Sequence, residues 1–278
     1  MQYIDAQSEK VPALGYGTWQ LRGKDCVRGV QKALDVGYRH IDTAQAYGNE
    51  LDVGTALNEY DINREDYFLT TKIWMDNFSP KKFLKSLDES LNKLQTEYVN
   101  MLLLHWPDDN SDFDETLGQL MEAKKSGKAR LIGVSNYTVE LMKNAQSKTD
   151  NTLVTNQVEF HPFIDQGPVL EWVRRHNMFL TGYSPLSRGD VLKSDTINSI
   201  GTKYKKNAGQ VTLRWALQHE RVAVIPKAAS EDHIKGNFEV FDFELTQAEM
   251  DQISALHRED GRKVNPDWAP DWDTAKAA

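Results

Sequence analysis

The stretch ALGYGTWQ, residues 13–20, decides between the two α/β architectures open to this chain. A short apolar run ending in Gly15-Tyr16-Gly17 is where a doubly wound dinucleotide-binding sheet would carry its G-x-G-x-x-G turn. Three residues after Gly17 stands Gln20, not glycine, so that fingerprint fails. The run is instead the first of eight. The others are YRHIDTA (38–44), YFLTTKIW (67–74), YVNMLLLHW (98–106), ARLIGVSN (129–136), TNQVEFH (155–161), MFLTGYSPL (178–186) and VAVIPKA (222–228). Several are nearly continuous in apolar residues, as strands covered on both faces read. Helical stretches fill the gaps. Eight such alternations in 278 residues predict an α/β fold of the (β/α)8 TIM-barrel class, a single domain over 1–278.

The helical signals are specific. DCVRGVQKALDVG stops at Gly37, and NELDVGTALNEY opens with Asn49 as an expected N-cap. SPKKFLKSLDESLNKL sets Ser79 as a cap and Pro80 in the first turn, with Phe83, Leu87, Leu91 and Leu94 on one stripe. Thr246 and Glu249 make a capping box. After Gly261 the residues RKVNPDWAPDWDTAKAA are rich in breakers, and this tail, 261–278, is expected to drape over the barrel mouth.

Composition narrows the function. The 40% hydrophobic and 27% charged fractions are those of an ordinary globular chain. A net charge of −8 with no Lys/Arg run argues against a nucleic-acid partner and serves solubility. The one cysteine, Cys26, allows no intrachain disulfide, which suits a reducing compartment, and it reads as a small apolar filler. No apolar segment follows the start MQYIDAQSEK, and no run of about 18 apolar residues exists. A cytoplasmic protein, neither exported nor inserted in a membrane, is expected.

In a barrel, chemistry belongs at the carboxyl ends of the strands. The residues there are Trp19, Asp42, Lys72, His105, Ser135-Asn136, Gln157, Tyr183 and Lys227, with Tyr47 just beyond Asp42. Singly, Asp42 reads as a cap, Tyr47 as a half-buried ring, Lys72 as a solvated amine and His105 as a core histidine. Together, at the ends of the second, third and fourth runs, they make a coherent acid. A phenol has a reference pKa of about 10, too high for easy proton donation at neutral pH. A neighbouring ammonium favours phenolate, so Lys72, held by Asp42, is expected to lower the Tyr47 value. His105 can hydrogen-bond the same substrate oxygen, and the set would polarise and protonate a carbonyl. A metal centre built from His40, Asp42, His105 and His161 would leave Tyr47 and Lys72 without a role, so no metal is expected.

These motifs, in this order, resemble the aldo-keto reductase family, and within it the bacterial 2,5-diketo-D-gluconate reductases. The match runs through LGYGTWQL, GYRHIDTAQAYGNE, TTKIW, LLLHWP, IGVSNY, NQVEFHP, YSPL, VIPKAASEDHIKGNFEVFDFEL and the terminal APDWD. The resemblance implies an oxidoreductase that binds NADPH without a doubly wound fold, with Asp42, Tyr47, Lys72 and His105 as its tetrad and Tyr47 as the acid. It implies that Ser135, Asn136 and Gln157 hold the nicotinamide carboxamide and that Tyr183 stacks on the ring. Ser184, Pro185, Leu186 and Ser187 would follow the pyrophosphate; Gly17, Thr18, Trp19 and Asp42 also touch cofactor. Lys227 would face the 2′-phosphate, with Ala228, Ser230, His233 and Asn237 near the adenosine. Trp19, Trp74 and Trp106 would wall the substrate pocket beside Tyr47 and His105, with Trp268 and Trp272 as an outer rim. Small aldehydes, α-dicarbonyls such as methylglyoxal and keto-sugar acids are the substrate classes implied, handled by a monomer.

Three positions depart from the family pattern. Ala228 stands where serine is common, His233 where arginine is common, and Gly236 where glutamate is common. Losing a guanidinium fork removes a bidentate phosphate contact. A weaker preference for NADPH, with appreciable NADH use, is expected. The alternative reading is a cofactor-binding redox sensor with little turnover; the complete tetrad and the lack of a partner-binding extension weigh against it.

Overall fold

A computed structural model describes residues 1–273. The strands are β1 Tyr3–Ala6, β2 Glu9–Pro12, β3 Tyr16–Gly17, β4 His40–Asp42, β5 Phe68–Ile73, β6 Val99–Leu104, β7 Ala129–Ser135, β8 Thr155–Glu159, β9 Phe179–Tyr183 and β10 Val222–Val224. Strands β3 to β10 lie side by side in chain order, and every neighbouring pair is parallel. The seam closes where Leu14 bridges Val224 in parallel, with Gly15 N–H donating to Val224 O at 2.8 Å and Gly17 N–H to Pro226 O at 3.1 Å. A Cβ on Gly17 would sit 2.6 Å from Ile225 O, so glycine is required for this closure. The Gly-Tyr-Gly that fails as a phosphate fingerprint thus serves the seam of a (β/α)8 barrel.

The helices are α1 Gly23–Val36, α2 Glu50–Glu59, α3 Phe83–Leu94, α4 Phe113–Lys125, α5 Val139–Lys148, α6 Gly167–Arg175, α7 Asp195–Tyr204, α8 Ala208–Gln218, α9 Glu231–Phe238 and α10 Gln247–Ser254. All six residues of β5 and all six of β6 are buried, since helices cover one face and the packed interior the other. In α3, Phe83, Leu87, Leu91 and Leu94 are buried as the stripe requires, each contributing about 1.5–3 kcal/mol. Gly37 ends α1 at φ 115°, and Thr246 and Glu249 form the reciprocal box at the start of α10.

Several local expectations change. Helix α3 starts at Phe83, four residues after Ser79, which caps nothing with its side chain; its carbonyl instead accepts the Phe83 N–H at 2.9 Å. Asn49 stands at the head of α2 but does not cap it. Its amide reaches Thr18 O at 2.8 Å and Leu21 O at 3.0 Å, and its Oδ1 accepts from Thr43 Oγ1 at 2.7 Å, tying two mouth loops together. The first strand is only two residues long, and Trp19 lies beyond it. The antiparallel hairpin β1–β2 has no counterpart among the eight runs. It crosses the amino-terminal end of the barrel, where Pro12 O meets His40 Nδ1 at 3.1 Å. No described helix is long and apolar enough to cross a membrane.

Candidate active site

The carboxyl ends of the strands open into a cavity of about 470 Å³. On one side a chain of polar contacts crosses three strands. Lys72, from β5, is wholly buried, and its ammonium donates to Asp42 Oδ1 at 2.6 Å, to Thr43 O at 2.8 Å and to Tyr47 Oη at 3.3 Å. Those three acceptors use all three N–H groups of the amine. The other Asp42 oxygen accepts from Gln157 Nε2 at 2.8 Å. Tyr47 reaches this cluster because a 3-10 turn, Gln45–Tyr47, lifts it off the end of β4. Gln45 fixes the turn, accepting from Trp74 N–H at 2.9 Å and donating to Ser86 and Ser90.

His105 follows β6 and is gripped by two ring edges, Tyr47 at 5.7 Å and Trp74 at 5.2 Å between centroids. Burial, reinforced by the Lys72 charge, holds its pKa well below the usual histidine value. The neutral ring has a buried Nδ1 with no partner among the described residues. A bare lone pair there costs less than an orphaned N–H, which puts the proton on Nε2, the nitrogen open to the cavity.

One electrostatic expectation is reversed. The phenol of Tyr47 is raised well above its ordinary value, by burial first and by the Asp42 carboxylate second. Burial also lowers the Lys72 ammonium, against the pull of Asp42. The ammonium is shared with a carboxylate at 2.6 Å, so its field at the phenol does not outweigh desolvation.

Gly17, Trp19, Ser135, Asn136, Gln157, Tyr183, Ser184 and Lys227 line the cavity along with Asp42, Tyr47, Trp74, His105 and Trp106. The Asn136 amide is engaged within the protein: it donates to His105 O at 3.0 Å and accepts from Tyr183 Oη at 2.8 Å. Ser135 Oγ donates to Gln157 O at 2.7 Å. Thr18 is buried and donates to Asp42 O at 3.0 Å. After Tyr183 the chain turns through left-handed backbone at Ser184, Ser187, Arg188 and Gly189. Pro185 and Leu186 lie within this turn, and Ser187 Oγ is buried with no partner among the described residues. Ala228 is buried, its carbonyl accepting from Tyr16 Oη at 2.6 Å. Ser230 caps α9 through the backbone N–H of His233, whose side chain is exposed, and Asn237 is buried further along α9. These last residues lie outside the cavity lining.

Sequence reasoning missed Arg188 and, within the tail expected over the mouth, did not single out Lys263, Val264, Asn265 and Pro266, which also line the cavity. Arg188 sits one residue past Ser187, and its side chain lies 5.6 Å over the Trp19 ring. Trp268 joins the cavity wall at 56% exposure. Trp272 instead packs against Trp106 beneath the Arg262 guanidinium. Residues 274–278 of the expected tail lie outside the described residues. Of the weighed metal set, His40 contacts Pro12 O and Thr70 Oγ1 at the far end of the barrel, and His161 contacts Glu159. Among the described residues no His, Cys, Asp or Glu trio is grouped to hold a metal.

Comparison with known proteins shows the family and the fold. Residues 13–258 match the model of the aldo/keto reductase family. Methylglyoxal reductase DkgB of Escherichia coli O157:H7 is 39% identical over 267 residues, covering 95% of this chain and 99% of its own. Glyoxal reductase of Bacillus subtilis (strain 168) is 37% identical over 263 residues, covering 93% of each. Among solved structures, a putative 2,5-diketo-D-gluconic acid reductase B superposes with a TM-score of 0.97 at 44% identity, over 99% of this chain and 98% of that one. An aspartate-to-alanine variant of Gox0644, solved in complex with NADPH, superposes with a TM-score of 0.90 at 33% identity, over 95% and 96%. By the extent and identity of these matches, the chain is an oxidoreductase and belongs to the aldo/keto reductase family.

Proposed function

We propose that this enzyme reduces aldehydes, α-dicarbonyls or keto-sugar acids to alcohols with NADPH, and that Tyr47 donates the proton. The observation that carries the reading is the direction of the Lys72 contacts. Because Lys72 donates to Tyr47 Oη, the phenol's own proton is free to point into the cavity. The Lys72 charge then supports the oxygen as it becomes phenolate during transfer. His105, with its proton on Nε2, offers a second hydrogen bond to the same carbonyl oxygen. Asp42 keeps the ammonium in place and Gln157 keeps Asp42 in place.

The residues present fit a nicotinamide cofactor. Gln157 spends Nε2 on Asp42, which leaves its Oε1 as an acceptor at the cavity for a carboxamide N–H. Ser187 Oγ is a donor unmet among the described residues, in a turn whose left-handed residues suit close backbone approach to phosphate. A bound nicotinamide supplies the hydride that the protein's side chains cannot. Trp19, Trp74 and Trp106 exclude water from the reacting carbonyl, which strengthens each polar contact there. Lys227, exposed at the cavity rim, is the cation for a 2′-phosphate. In the same reading residues 1–278 act as one domain and as a monomer in the cytoplasm. The names methylglyoxal reductase and glyoxal reductase given to the relatives support testing small α-dicarbonyls first among candidate substrates. Initial rates for methylglyoxal, simple aldehydes and keto-sugar acids with each reduced cofactor test the proposal. Absence of turnover on the whole panel overturns it and favours the redox-sensor alternative.

A further inference from the structure

Glu159 closes β8, two residues past Gln157, and is wholly buried. Its Oε1 accepts from His161 Nε2 at 2.8 Å and from the backbone N–H of Lys263 at 2.8 Å; its Oε2 accepts from the backbone N–H of Val264 at 3.0 Å. His161 Nδ1 accepts the Phe163 N–H at 3.2 Å, so the imidazole proton sits on Nε2 and the ring is committed as a donor to Glu159. A buried acid is costly unless its oxygens are met, and here two of the three donors come from a segment about 104 residues away in the chain. Those two residues, with Asn265, Pro266 and Trp268, form the outer wall of the cavity.

From this geometry we infer that Glu159 is a positioning residue: it docks residues 263–268 over the cavity mouth and so sets substrate affinity. The inference rests on the reading of this cavity as the carbonyl site. Besides Trp272 against Trp106, two further ties of the tail are lateral. Lys263 Nζ meets Asp190 Oδ2 at 2.6 Å and Asp273 Oδ2 accepts the Val139 N–H at 2.9 Å. Asp190 and Lys263 are partly exposed and screened by solvent, whereas the Glu159 contacts are buried. Asp42, Tyr47, Lys72 and His105 make no hydrogen bond to Glu159, so undocking the tail leaves the proton-donating cluster standing.

Glutamine cannot replace this carboxylate, because both oxygens face N–H donors and an amide NH2 at either end meets one. Glu159→Gln therefore raises the KM for methylglyoxal at least about fivefold with kcat within about threefold, the signature of lost uniform binding. Val264→Pro, which deletes one tail donor and leaves Glu159 intact, gives the same split, and the double variant is no worse than the stronger single one. Limited trypsinolysis reads docking without turnover: cleavage after Arg262, followed by mass spectrometry, is faster in both variants. If Glu159→Gln does not fold, Val264→Pro alone decides. Wild-type rates of cleavage in the folded variants, or faster cleavage with KM unchanged, overturn the inference. If the wild type reduces no carbonyl, the carbonyl-site reading fails, while trypsin still reports whether Glu159 holds the tail.

Discussion

The cavity wall built from β4, β5 and β6 and the wall built from residues 184–190 and the tail are held by different means. In the first, Asp42 and Lys72 are at most 1% exposed, and the Lys72 ammonium and both Asp42 oxygens are met by polar partners from other segments. In the second, the backbone turns left-handed at Ser184, Ser187 and Arg188, a conformation that costs on the order of 1–3 kcal/mol per residue. Its lateral cross-links, Arg188 over Trp19 and Lys263 to Asp190, are more open to water, and its buried tie runs through the single carboxylate of Glu159. The contrast separates tasks. A proton donor must be fixed relative to the reacting oxygen, and buried reciprocal bonds do that. A cofactor and a variable substrate must enter and leave, and a wall held by separable contacts permits it.

The largest effect that would break this division is on Tyr47. Tyr47→Phe lowers kcat about a thousandfold, within the range for a lost general acid, while NADPH affinity by fluorescence titration changes less than about twofold. Near-normal turnover removes Tyr47 from its role. Next is a matched pair of lysine substitutions read by urea unfolding. Lys72→Met strands the buried Asp42 carboxylate and costs about 3–5 kcal/mol. Lys263→Met, at a partly exposed ion pair, costs about 0–1 kcal/mol. Equal losses would erase the distinction between the walls.

Cofactor choice comes third. With His233 exposed and no guanidinium at that position, the ratio of kcat/KM for NADPH over NADH stays below about a thousand, or about 4 kcal/mol. A larger ratio refutes the weakened grip on the 2′-phosphate. The smallest effect is on the pH dependence of stability. His105 has a folded pKa well below its unfolded value of about 6.5, so its contribution is present above that pH and is lost as pH falls toward the folded value. Asp190 is held down to about 2, mainly by Lys263 and Lys193. Its contribution is present above the usual aspartate value and is lost only as pH falls through about 2. Between pH 7 and 5, His105→Gln therefore flattens the decline in melting temperature on acidification, and Asp190→Asn does not alter its slope.

Much of the first wall was legible, because a residue at the end of an apolar run in a barrel has only one place to go. Asp42, Lys72 and His105 are brought together by parallel pairing of β4, β5 and β6. The Tyr47 charge balance was not legible, since pattern shows the presence of an ammonium but not how tightly a carboxylate claims it. Nor was the hairpin β1–β2, whose four-residue strands are too short for periodicity to register. Asn49 misled because a residue can occupy a cap position while its side chain bonds elsewhere. Arg188 escaped, and so did the individual contacts of the tail that was expected over the mouth, because irregular backbone carries no period from which to infer a facing direction.

What the amino-acid order determined alone was the barrel, the set of groups at its mouth and the family. Each depends on local alternation and on spacing along the chain, which hydrophobic burial converts into strands and covering helices. What only the tertiary structure decided was the protonation balance at Tyr47, the partners of Glu159 and which residues of the tail face the cavity. Those depend on groups far apart in sequence, whose desolvation and hydrogen bonding exist only once the chain has closed around them.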